Sequence, residues 1–175
     1  MSLYTELGMG LVFVGMVLVV NGLWLLGKGS DRDTAILNFF VGALTLFIAV
    51  WWAFGGEASE GTAFNAAGTL LFSFTYLWVG ANAYRQASDQ RSLGWYCILV
   101  TVLAIPTGYL VLLGGDVGLA LLWWVWAILW AGFWLLLARQ RSDYTTPVAW
   151  YTVAVGIVTG AAGYLMAAGF WPWGV

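Results

Sequence analysis

Six stretches of this chain, at about 7–27, 34–54, 63–84, 93–113, 119–138 and 148–170, stay apolar for the roughly 20 residues that a helix needs to cross hydrocarbon. Inside a bilayer every backbone N–H and C=O must find its partner within the segment, so each stretch predicts a transmembrane α-helix. The expected fold is all-α, a six-helix polytopic bundle. The breaks between stretches are turn-length: KGSDRD at 28–33, GGEASEG at 55–61, RQASDQR at 85–91, GGDVG at 114–118 and RQRSDYTTP at 139–147. They leave no room for a second unit, and one domain over 1–175 is expected. Composition points the same way. With 62% hydrophobic and 8% charged residues, the chain lacks the charge that a water-facing surface needs. No basic region precedes the first stretch, which reads as a span and not as a cleaved signal.

Charge then orients the bundle. All six positive residues fall in alternate breaks: Lys28 and Arg32, Arg85 and Arg91, Arg139 and Arg141. The other two breaks and both ends carry only Glu6, Glu57, Glu60 and Asp116. By the positive-inside rule the first, third and fifth breaks are cytoplasmic and both termini lie outside. Helices 1, 3 and 5 therefore run from outside to inside, and helices 2, 4 and 6 run back.

What the spans lack excludes whole classes of function. Apart from Glu6 at the outer end of the first, none contains Asp, Glu, Lys, Arg or His. An ion-coupled transporter needs a carboxylate or similar group at depth to hold its coupling ion. An ion channel needs charge or ordered carbonyls to offset dehydration. Histidine is absent and Cys97 is the only cysteine, so there is no metal motif, haem ligand or internal disulfide. No nucleophile–base pair or phosphate loop can be assembled, so no enzyme and no cofactor are expected. A net charge of −2 without a basic cluster argues against nucleic acid. The polar groups at depth are neutral: Asn21, Asn38, Thr45, Thr69, Ser73, Thr75, Tyr76, Asn82, Thr101, Thr107, Thr152 and Thr159. A route through such residues suits a small, uncharged, strongly dipolar solute. Gly15, Gly22, Gly42, Gly156, Gly160 and Gly163 are expected to mark close helix–helix contacts.

The fifth stretch reads WWVWAILWAGFW at 123–134. Trp123 and Trp124 lie near its outer end, where interfacial anchoring is the ordinary role of tryptophan. Trp126, Trp130, Phe133 and Leu137 share one helical face at spacings of 4, 3 and 4. Aromatic stripes of this kind are ordinarily core. Two further stripes on helices of the same direction can meet this one around a common axis: Thr69, Phe72 and Tyr76, and Leu7, Leu11, Val14, Leu18 and Asn21. Asn21 and Asn82 then fall at similar depth near the cytoplasmic end.

GLVFVGMVLVVNGLWLLGK at 10–28, LNFFVGALT at 37–45, GTLLFSFTYLWVGAN at 68–82, LGWYCILV at 93–100, WAILW at 126–130 and TPVAW at 146–150 together resemble the AmiS/UreI family of urea and short-chain amide channels. The likeness runs through all six stretches in order. It implies a passive channel in the bacterial inner membrane, surrounded by lipid, with one pore per protomer, a ring-shaped homo-hexamer, and a functional link to a cytoplasmic urease or amidase. The matched motifs place Leu11, Val14 and Leu18, then Phe72 and Tyr76, then Trp126, Trp130 and Phe133 along the pore, with Asn21 below them. An alternative register on WAGFW makes Trp130 and Trp134 the pair, so Trp134 is also a candidate.

Two departures bear on gating. Acid-gated members carry histidines in longer outer loops and a carboxylate in the last helix. Here there is no histidine, the outer breaks are short, and Val155 stands at the carboxylate's position. The resemblance therefore implies a channel indifferent to pH, nearer the amide-transport branch. Two other readings stay open on the residues alone: a non-transporting structural subunit whose stripes are all core, and a conduit for ammonia or another neutral solute.

Overall fold

Ser2 opens the first helix by accepting a hydrogen bond from the Thr5 N–H at 3.2 Å, and Ser59 and Thr62 cap the third reciprocally at 3.2 and 2.7 Å. The computed structural model describes residues 2–55 and 59–173, with Glu60 described by its backbone alone. The predicted outer carboxylate Glu57 lies outside these residues. Six helices follow one another: α1 Leu3–Leu25, α2 Asp31–Phe54, α3 Glu60–Tyr84, α4 Arg91–Leu113, α5 Val117–Leu137 and α6 Thr145–Ala167, with a 3-10 turn Ser142–Tyr144 before the last. α1 ends where Gly27 takes φ +74°. The Lys28 and Gly27 N–H groups then turn back to the carbonyls of Leu23 (3.0 Å) and Trp24 (2.8 Å). Gln86, at φ 51°, closes α3 in the same way.

Five of the six helices are long and apolar enough to cross a membrane; α3 is the exception. Its polar residues explain why. Ser73 donates to the Gly42 carbonyl of α2 at 2.9 Å, while Asn65, Thr69, Thr75 and Tyr76 turn toward cavities inside the bundle. The apolar surface lies elsewhere. Phe40, Phe47 and Phe54 of α2, Leu99 of α4, and Ile157 and Tyr164 of α6 all stand outward, as a hydrocarbon solvent requires.

The helices form a closed ring in which each touches its two sequence neighbours and α6 returns to α1. Packing is most extensive between α1 and α6, α2 and α3, and α4 and α5. Glycine makes the first of these contacts possible. A Cβ on Gly15 would stand 2.4 Å from the Gly160 backbone, and one on Gly22 would stand 2.7 Å from the Ala149 carbonyl. The looser seams are bridged by side chains. Asn21 and Asn38 join α1 to α2, the Tyr96 hydroxyl reaches the Leu71 carbonyl of α3 at 3.0 Å, and the Tyr151 hydroxyl reaches the Val125 carbonyl of α5 at 3.0 Å.

Candidate functional site

Two cavities lie along the inside of the ring, toward opposite ends. The first, about 200 Å³, is bordered by Tyr4, Leu7, Leu11 and Val14 of α1, Phe64 and Thr69 of α3, and Trp123 of α5, with Asp116 at its rim. Helices α1, α3 and α5 all start at this end, which the charge rule expects to face outward; the two cavities are labelled outer and inner on that expectation. The second, about 80 Å³, is bordered by Leu18 and Asn21 of α1, Thr75 and Tyr76 of α3, Cys97 of α4, and Leu129, Trp130 and Phe133 of α5. Both include Phe72 and Trp126, which form the partition between them.

The partition is an aromatic cluster. Phe72 meets Trp126 edge-on with ring centroids 4.8 Å apart, and meets Trp130 at the same distance. Trp123 and Tyr76 stand 5.9 and 6.4 Å from it. Indole N–H groups buried here need acceptors, and neighbouring threonines supply them. Trp126 donates to Thr159 of α6 at 2.9 Å, and Trp130 donates to Thr75 of α3 at 3.2 Å. The Thr75 hydroxyl in turn donates to the Leu71 carbonyl at 2.6 Å. These bonds lock the ring orientations, so the two tryptophans present π faces, not N–H groups, to the cavities.

Leu11, Val14, Leu18, Asn21, Phe72, Tyr76, Trp126, Trp130 and Phe133 all line one cavity or both. Trp134 lines neither. Its ring lies 6.3 Å from that of Trp95 of α4, under the Arg139 guanidinium, and its buried N–H has no partner among the described residues. Trp123 also departs from expectation. Read as an interfacial anchor, it is buried against Phe72 and Trp126. One position away, Trp124 turns to α4, where it packs on Gly108 and donates to the Ile105 carbonyl. Asn82 donates to Gln90 at 3.4 Å, accepts from Arg85 at 3.0 Å, and lines neither cavity. Thr75, Cys97, Leu129 and Asp116 were not singled out as lining residues. Thr75 and Leu129 lie one residue before Tyr76 and Trp130, whereas Cys97 and Asp116 carry no periodic signal.

The electrostatics are sparse. The inner cavity has no Asp, Glu, Lys, Arg or His among its lining residues. At the outer rim Asp116 is buried but paired: its carboxylate accepts from the Leu119 N–H at 2.8 Å and from the Trp171 indole at 2.9 Å. Beyond the spans, hydrogen bonds from Arg91 hold the Asp89 carboxyl down at about 2, and Arg141 lowers Asp143 likewise. Both pairs therefore persist above the ordinary carboxylate range and loosen only as pH falls through these lowered values. Neither changes between pH 5 and 7.5.

An apolar-skinned helical ring around an aromatic-walled interior, with a single paired carboxylate at one cavity rim, is the architecture of a membrane transport protein. Residues 7–169 match the AmiS/UreI family transporter model, and the chain belongs to that family. Its relatives are transporters and channels, not enzymes. A protein of Mycolicibacterium smegmatis named for transport of amidate substrates is 34% identical over 169 residues, which cover 95% of this chain and 79% of that one. The acid-activated urea channel of Helicobacter pylori is 30% identical over 88% of this chain and 91% of its own. The crystal structure of the urea channel from that human gastric pathogen superposes with a TM-score of 0.81 and 27% identity, covering 94% of this chain and 99% of that one.

Proposed function

We propose that this chain is a passive, pH-independent channel for urea and short-chain aliphatic amides across the bacterial inner membrane. The observation that carries this reading is the partition at Phe72 and Trp126, where two ring-walled cavities meet: the smaller has no carboxylate or cation among its described lining residues, and the larger has only Asp116, held by Leu119 and Trp171. Urea and acetamide are flat and neutral. Stripping part of their water costs a few kcal/mol, on the order of a single polar group, while an ion pays several times more. Ring faces contact the plane of such a solute, and hydronium or alkali ions meet no compensating charge. Phe72 and Trp126 touch, and the indole is held by Thr159, so passage goes with a turn of the Phe72 ring, which no hydrogen bond holds. The names of the relatives support both solute classes. The homo-hexamer, with one pore per six-span protomer, and the link to a cytoplasmic urease or amidase rest on family likeness.

The Helicobacter pylori relative is acid-activated by name. This chain has no histidine to titrate near pH 6.5. Urea or acetamide flux into proteoliposomes, followed by stopped-flow light scattering, should hardly change between pH 5 and 7.5. A steep several-fold rise on acidification would contradict pH independence.

We propose that both termini lie outside, from the confinement of all six positive residues to alternate breaks. In a Cys97→Ser background, an impermeant thiol reagent applied to intact cells should label a cysteine at Ser59 and leave one at Ser88 untouched; both sites are exposed. The reverse pattern would overturn the orientation.

A further inference from the structure

Two carboxamides face each other at the inner end of the α1–α2 seam. Asn21 donates to Asn38 Oδ1 at 3.0 Å, and Asn38 donates back to Asn21 Oδ1 at 2.7 Å. Asn38 is fully buried, and it also donates to the Thr34 carbonyl at 2.9 Å. A carbonyl oxygen can only accept, so the Asn38 nitrogen must face Thr34, and this settles which way its amide is turned. Asn21 has no choice left: its oxygen meets the Asn38 nitrogen and its nitrogen meets the Asn38 oxygen. Both N–H groups of Asn38 are thus committed. Asn21 keeps one N–H and one acceptor lone pair uncommitted among the described residues, and it borders the inner cavity.

Few other polar groups are free in that cavity: Gln90, half-buried, accepts from Asn82 at 3.4 Å and keeps its own N–H groups unbonded among the described residues. Thr75 is committed on both sides, and the Cys97 thiol is a weak donor. The Tyr76 hydroxyl makes no hydrogen bond among the described residues, although the side chain is buried. Tyr76 lies about two turns before the inner end of α3, and Asn21 about one turn before the inner end of α1. A solute leaving the rings meets the tyrosine first and the asparagine next.

We infer that Asn21 is a binding station for the O=C–NH2 group of the permeant, oriented by Asn38. Its free N–H donates to the solute carbonyl handed on from the Tyr76 hydroxyl. Asn38 already occupies the edge of the Asn21 amide that could pair reciprocally, so the station makes one bond to the solute oxygen. The station favours urea and primary amides over solutes that lack a strong carbonyl acceptor, and Asn38 acts as the positioning residue. The inference rests on the channel reading above and deepens it.

Thiourea is the discriminating probe, because its sulfur is a far weaker acceptor than the urea oxygen. Replacing both residues, Asn21→Leu with Asn38→Leu, keeps similar shapes and strands no amide partner, so melting in detergent should stay near wild type. Urea flux in proteoliposomes should fall roughly two- to tenfold, the scale of one neutral hydrogen bond, with thiourea flux changing less. A double variant of normal melting whose urea-to-thiourea ratio is unchanged would overturn the inference. If the double variant fails to fold, Asn21→Ser decides instead. It leaves Asn38 an acceptor but withdraws the amide, so a fallen ratio supports the station and an unchanged ratio removes it. Wild-type vesicles no more permeable to urea than protein-free ones would remove the channel reading itself.

Discussion

Trp130→Ala is expected to pass larger amides, such as butyramide, and thiourea several-fold better relative to urea than the wild-type protein does. The ring stands 4.8 Å from Phe72 and faces the inner cavity, so its loss widens the path where a solute plane is held. A core tryptophan cut to alanine costs about 3–5 kcal/mol. Here one side of the ring borders open space, and Thr75 keeps its bond to the Leu71 carbonyl, so the cost should fall below that range. Tyr76→Phe tests the polar half. Its hydroxyl bonds to no described residue, so melting should hold while urea flux falls. Flux ratios in proteoliposomes beside detergent melting temperatures check both. Wild-type ratios in both variants, with collapsed melting for Trp130→Ala, would make these rings core.

The largest effect on stability is expected at Gly15, and it should be one-sided. A Cβ there would stand 2.4 Å from the Cα and N of Gly160 and 2.6 Å from the Gly156 carbonyl, all of them backbone. Backbone cannot swing aside, so Gly15→Ala must push α1 and α6 apart along their whole contact. Overpacking of this kind typically costs about 1–3 kcal/mol and sometimes more. Gly160 sits across the same contact, yet a Cβ on it would lie 3.6 Å from the Gly15 Cα, an ordinary contact. Gly160→Ala should melt within a degree or two of wild type, while Gly15→Ala should melt far lower or fail to assemble. Equal melting of the two variants would refute this account of the α1–α6 seam.

Why the sequence was so legible follows from the solvent. Hydrocarbon leaves a chain few options, so runs of apolar residues mark helices directly, and a ring of six helices turns period-3.6 stripes into cavity walls. Leu11, Val14, Leu18 and Asn21 were readable for that reason, as were Phe72 and Tyr76. Trp123 was misread because distance from a helix end says nothing about which way a residue turns. The stripe Trp126–Trp130–Phe133 extends back by three to Trp123, and neighbouring Trp124 lies about 100° round the helix. The stripe was the better guide. Partners on other helices left no trace in the sequence. That Thr159 caps the Trp126 indole, or that Asn38 fastens Asn21, depends on how two helices are rotated against each other. For α3, low hydropathy reflects polar groups turned inward, a distinction that composition alone does not make.

Passage of neutral amides without ions can be read in one vesicle preparation: urea and acetamide entry by stopped-flow light scattering, and proton and potassium leak with an enclosed pH dye and valinomycin as the positive control. Proteoliposomes should take up urea or acetamide at least tenfold faster than protein-free liposomes, with ion leak at the protein-free level. Solute entry no faster than in protein-free liposomes, or a proton leak that rises with protein content, would contradict it.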